Sequence, residues 1–275
     1  MPVDRTTRKP AVAGYFYPAD PKELEALVAS CLDGVPAEGR RCRAAIAPHA
    51  GLVYSGHCAG AVFGRLALPP SIVILAPNHT GICRSPGASS WRQGAFDTPL
   101  GSVRIDDELA DAVARASDLV AHDPAAHEGE HAIEVELPFL QARAPDTRIV
   151  PIVIAWDDWP RSAALAAALA EVVSAWPSDV LLLASSDMTH HEPAPQAAIK
   201  DREALQAIEA LDGESLLATC ARRRITMCGR APAAVVTEVA RRLGARSADA
   251  VDYRHSGEVS GHDASVVSYA GVLIA

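Results

Sequence analysis

The 275 residues carry a net charge of -9, with 49% hydrophobic and 21% charged side chains, a balance that argues against nucleic acid or an anionic membrane surface as partner. No apolar run approaches the ~20 residues of a spanning helix, and Met1 to Pro10 is charged without an apolar core. The six cysteines, at 31, 42, 58, 83, 220 and 228, form no CxxC pair or regular framework, so a cytoplasmic protein with reduced thiols is expected. No linker or composition break divides the chain, which predicts one domain over 1–275.

In chain order, Asp20, Pro21 and Glu23 mark the start of a helix running to about Leu32, with Leu24, Leu27, Val28 and Cys31 on its apolar face. Ala44 to Ala47 is a short apolar run ending at Pro48-His49-Ala50-Gly51, and Ser71 to Ala76 is another ending at Pro77-Asn78-His79. Ser55 to Leu66 between them has helical spacing, so the unit reads strand, helix, strand. Such a crossover joins parallel strands, and both imidazoles would emerge at the carboxyl edge, where open α/β sheets bind ligands. Adjacent strands lie about 4.8 Å apart, close enough for His49 and His79 to share a metal at about 2.1 Å each. The alternative is two histidines capping loops.

A Gly-, Ser- and Pro-rich stretch follows, and Phe96 to Ile105 reads as an antiparallel flap beside the main sheet. Asp106 to Ser117 is an amphipathic helix. In Glu130-His131-Ala132-Ile133-Glu134, helical geometry would put His131 and Glu134 on one face at i, i+3, although a solvated helical turn gives the same pattern. His122 and His127 lie in loop sequence and are expected to be exposed. Arg148 to Ile154 is a buried strand, Arg161 to Ala175 an Ala-rich helix and Val180 to Ala184 another apolar strand, so a largely parallel sheet with helices on both faces is predicted.

That strand ends in Ser185-Ser186-Asp187-Met188-Thr189-His190-His191, a third polar cluster at the same edge. Asp187 could orient an imidazole, and His190 or His191 could be a ligand or move a proton. Asp201 to Leu211 and Gly213 to Ala221 read as helices, and Arg222 to Arg224 as a solvated face. Cys228 precedes the helix Ala233 to Leu243, whose dipole would favour a thiolate, while the alternative is an inert small core residue. Val251 to Arg254 and Val266 to Ile274 close the chain as strands. Cys83, four residues beyond His79, is the rival thiol.

These pieces resemble, in order, the Memo family, whose bacterial and archaeal members are called AmmeMemoRadiSam system protein B: APHAG at 47–51, ILAPNH ending at His79, TPLG at 98–101, EHAIEVELPFL at 130–140, SSDMTH at 185–190 and CGR at 228–230. AGYFYPAD and SVVSYAG at the two ends extend the resemblance over nearly the whole chain. It implies a single α/β domain like that of class III extradiol dioxygenases and one transition metal ion held by His49, His79 and Cys228. Asp187 and His190 would then be an orienting group and an acid/base, beside His131 and Glu134 as further candidates. His191 and His262 stand where the family pattern differs. The family name also implies radical SAM and AMMECR-type proteins as pathway partners.

Three functions follow. A thiolate in place of the dioxygenase carboxylate points to a redox protein using iron or copper, dioxygenase-like or not, acting on a small molecule. With zinc, the same residues would make a hydrolase with Glu134 as base. The resemblance also allows a non-catalytic module that binds a peptide in the cleft.

Overall fold

The computed structural model describes residues 7–37, 39–84 and 87–275. Among them run twelve strands: β1 (Thr7–Arg8), β2 (Ala44–Ala47), β3 (Ser71–Pro77), β4 (Ala88–Ser90), β5 (Ala95–Thr98), β6 (Gly101–Arg104), β7 (Val120–His122), β8 (Arg148–Ile154), β9 (Val180–Ser185), β10 (His190–Glu192), β11 (Ala248–His255) and β12 (Val266–Ile274). Strands β3 and β9 are buried at every position, as continuous apolar runs must be when both faces of a sheet are covered.

The main sheet is mixed, in the order β10-β12-β2-β9-β3-β8-β4-β7, with β11 also paired to β12. Its centre, β2-β9-β3-β8, is parallel, whereas β12 joins β2 and β4 joins β8 antiparallel. The expected parallel character therefore belongs to the middle four strands. The edge pieces β4 and β7 escape sequence reading because strands of three residues are too short to carry a period. The predicted flap is the β5–β6 hairpin, turning at Thr98–Gly101 and extended by β1 alongside β5.

Two groups of helices flank this sheet. Pro21–Leu32, Leu52–Arg65 and Leu137–Arg143 pack together, and Trp159–Ala175, Ala194–Glu209, Gly213–Arg223 and Arg230–Arg242 form the other group. Asp20 caps its helix as the sequence suggests, accepting from Glu23 N, and Asp158 likewise caps the helix at Trp159–Ala175, accepting from Arg161 N. Gly60 permits the first group's close approach, since a Cβ there would lie 2.1 Å from the carbonyl oxygen of Cys31. One buried apolar cluster runs through all these elements, giving a single α/β unit. No helix among the described residues is long and apolar enough to cross a membrane.

One topological expectation is corrected. Strands β2 and β3 are not neighbours, because β9 lies between them, paired parallel to both. Two strand spacings, roughly 10 Å, then separate the β2 and β3 ends. Since the three strands still point the same way, their ends deliver His49, His79 and Asp187 to one edge.

Candidate metal centre

His49 and His79 bridge that gap from the loops beyond their strands, with ring centroids 5.2 Å apart. The third member is His131, stacked on His79 at 4.5 Å and 5.4 Å from His49. Each of the three offers a ring nitrogen such that all three lie within 4.8 Å of one another, a spacing one metal ion can close. Phe16, from the AGYFYPAD segment, lies 4.6 Å from His131 between ring centroids.

His49 is buried and held from several sides. Its backbone N–H and that of Ala50 donate to Asp187 Oδ1, at 2.9 and 3.2 Å. Its Nδ1 lies 2.8 Å from Ser185 Oγ, and its Nε2 lies 3.3 Å from Cys228 Sγ. Burial, then repulsion from His131, His79 and His190, pushes its pKa well below the usual histidine value. The ring is therefore neutral at pH 7, with a lone pair for a metal.

His79 rests on Glu130. That carboxylate accepts from the His79 backbone N–H at 2.6 Å and meets Nδ1 at 2.9 Å, leaving Nε2 free. The same Oε1 lies 3.5 Å from His131 Nδ1. Burial pushes Glu130 up, but its hydrogen bond to His79 and the neighbouring imidazoles hold it below the usual carboxylate range. Burial brings His131 down to about 4 despite Glu130. A buried carboxylate behind two imidazoles, lone pairs facing inward, is a donor set that fits a divalent transition metal.

Cys228 reaches the site because the CGR glycine permits it. A Cβ on Gly229 would lie 2.5 Å from the Ser185 carbonyl and 2.5 Å from Ser186 Cβ, so only glycine lets this loop close over the β9 end. Gly229 N–H donates to Ser186 Oγ, and Asp187 N–H points at the sulfur at 3.2 Å. The expected thiolate is corrected for the metal-free protein. Burial, reinforced by the Asp187 charge, pushes the thiol up and outweighs the nearby donor amides. Cys83, the rival thiol, has its contact at Arg84 O, 3.5 Å away.

The other candidates divide. His190 directs Nδ1 at the Met188 carbonyl, 2.8 Å away, and lies close enough to His49 and His79 for their charges to repel. Burial holds Asp187 up at about 7 against its two amide donors. Glu134 is held by the N-terminal segment, and residues 134–136 form a 3-10 turn, with His131 outside it, where an α-helical face was expected. Its oxygens take Arg8 Nη1 at 2.6 Å, the N–H groups of Ala11 and Val12, and Tyr17 Oη. It clamps the N-terminal segment. His191 is exposed in a left-handed conformation, and His262 is exposed. His122 is exposed as expected, but His127 is buried, with Nε2 on Ser89. Desolvation takes it to about 3.

The family model described as Memo-like protein matches residues 8–273. The chain belongs to the Memo family. A MEMO1 family protein of Methanothermobacter thermautotrophicus is 38% identical over 274 residues, covering 96% of this chain and 98% of its own. Those of Methanopyrus kandleri and Aquifex aeolicus are 37% and 39% identical over 279 and 267 residues, each covering 97% of this chain and 98% of the relative. Family membership agrees with the dioxygenase-like expectation for the fold. The members that sequence reasoning placed at the centre, His49, His79 and Cys228, are adjacent here, and His131 joins them as a candidate ligand. Glu130 was missed, though its position beside His131 in EHAIE was a usable signal.

Proposed function

We propose that this Memo-family chain is a metal-binding redox protein that holds one iron or copper ion and acts on a small molecule at the sheet edge. The observation that carries this reading is the convergence of three imidazoles, those of His49, His79 and His131, with Cys228 Sγ against His49 Nε2. In this reading His49, His79 and His131 are ligands and Cys228 is a fourth, soft one, a set that suits copper or iron. When bound, the metal would supply Lewis acidity and one-electron chemistry.

The chain's own residues do the rest. Glu130 orients His79, Asp187 fixes the backbone at His49, and His190, with Nδ1 on Met188 O, keeps its other nitrogen for moving a proton. Extradiol ring cleavage is disfavoured, because a thiolate beside an oxygen-activating iron is itself open to oxidation. Zinc is the second reading, favoured by the three-imidazole set. It lacks Glu134 as base, since that carboxylate is spent on Arg8.

Anaerobic purification with elemental analysis, followed by oxygen uptake of the reduced protein with and without a catechol panel, tests this. Iron or copper with oxidation of the metal but no ring-cleaved product is expected. Zinc alone, or no metal at all, would reject the redox reading. Ring-cleaved product would reject the preference for a role short of ring cleavage.

A further inference from the structure

Behind His49, on the side away from the other imidazoles' shared space, lies a polar cluster with no obvious structural task. Ser185 Oγ has three neighbours: the Ala132 carbonyl at 2.6 Å, Glu136 Oε1 at 2.7 Å and His49 Nδ1 at 2.8 Å. Glu136 is fully buried, and its second oxygen, Oε2, is buried without a partner.

A hydroxyl has one proton to donate and two lone pairs. The Ala132 carbonyl can only accept, so the Ser185 proton belongs to it. Both lone pairs must then receive protons, one from His49 Nδ1–H and one from the Glu136 carboxyl. If Ser185 instead gave its proton to Glu136, His49 Nδ1 would still have to be the donor. Only donation from Ser185 to Nδ1 reverses the tautomer, and it leaves two oxygens 2.6 Å apart with no hydrogen between them. A neutral carboxyl also explains Oε2, because an unpaired buried carbonyl oxygen costs far less than an unpaired carboxylate oxygen. Burial pushes the Glu136 carboxyl up, in the same direction.

We infer that Glu136 is a positioning residue: acting through Ser185, it fixes His49 in its Nδ1–H tautomer and aims Nε2 at the metal position. The inference rests on the metal-binding reading for its consequence, but the tautomer itself does not. Glu136 touches neither a ligand atom nor the open site. It orients one hydroxyl, and that hydroxyl orients the ring.

The test uses the full chain. Long-range ¹H–¹⁵N correlation on metal-free protein with ¹⁵N-labelled histidine, with His49→Gln assigning the peak, should find His49 protonated at Nδ1. Protonation at Nε2 would overturn the inference. Cobalt(II) affinity, measured against a chromophoric chelator, should fall about 10- to 100-fold in Ser185→Ala, the usual loss for a group behind a ligating histidine. Glu136→Leu should fall severalfold and shift the His49 signals toward a tautomer mixture, and Glu136→Gln, whose amide can still donate, should stay within twofold of wild type. Equal affinity in Ser185→Ala, Glu136→Leu and wild type would reject the relay. If His49→Gln itself retains cobalt, the metal reading fails, and the tautomer measurement still decides this one.

Discussion

Glu130 grips His79 twice, its two carboxylate oxygens taking the backbone N–H at 2.6 Å and ring Nδ1 at 2.9 Å. The same residue therefore sets both where the loop beyond β3 lies and which way the ring faces. Glu130→Gln can replace only one of these contacts as an acceptor. Its metal affinity, by chelator competition, should fall about 10- to 100-fold while the fold is kept. Unchanged affinity would mean that the loop positions His79 without it.

Acid should destabilise the metal-free protein between pH 6.5 and 4. Burial holds His131 at about 4 and His127 at about 3, and depresses His49 well below the usual histidine value, so the unfolded chain takes up protons in that window and the folded one does not. His131 alone contributes about 3 kcal/mol to that loss. Asp187, raised to about 7, acts in the opposite direction, since its stabilising proton is lost as pH rises from 4 to 7. Buried Glu136, also raised, acts with Asp187, but His190 is lowered like the other three, so four histidines against two carboxyls leave stability rising with pH up to 6.5, which urea melts at pH 4.5, 5.5 and 6.5 would register. A flat profile would contradict the buried, neutral imidazoles.

Glu134→Ala should unfold the chain more readily without emptying the centre. It strands Arg8, which is buried and also donates to the His127 and Glu130 carbonyls, and a broken buried pair costs about 3–5 kcal/mol. Thermal melts should show the loss, and metal per folded chain should stay at the wild-type level. Selective loss of metal would return Glu134 to the site.

Much of this arrangement was legible in the residues. Apolar runs stopping at Pro48-His49 and Pro77-Asn78-His79 located two imidazoles, and the strand ending at Ser185 located Asp187, because strand polarity carries every such ending to one edge. The strand order was not legible: nothing in β2 or β3 records that β9 will insert between them, since all three are uniformly apolar or small. Periodicity also misassigned Glu134. His131 lies before the 3-10 turn at 134–136, outside any helix, so no shared helical face exists, and Arg8, more than a hundred residues earlier, captures the carboxylate. The low thiolate character of Cys228 depends on burial, which a helix start in sequence does not reveal.

If Cys228 is a ligand, metal binding must release its proton, because burial keeps the free thiol protonated at neutral pH. Apparent affinity should then rise about tenfold per pH unit between 7.5 and 9 in wild type, with no such slope in Cys228→Ser. Equal slopes in the two proteins would remove the thiol from the ligand set.

Metal content per chain in His49→Ala, His79→Ala and His131→Ala, each purified alongside wild type and checked for folding by circular dichroism, tests the centre most directly. About one transition metal in wild type and a sharp fall in all three variants is the predicted result. Wild-type metal retained in folded His49→Ala and His79→Ala would contradict a centre built on these imidazoles.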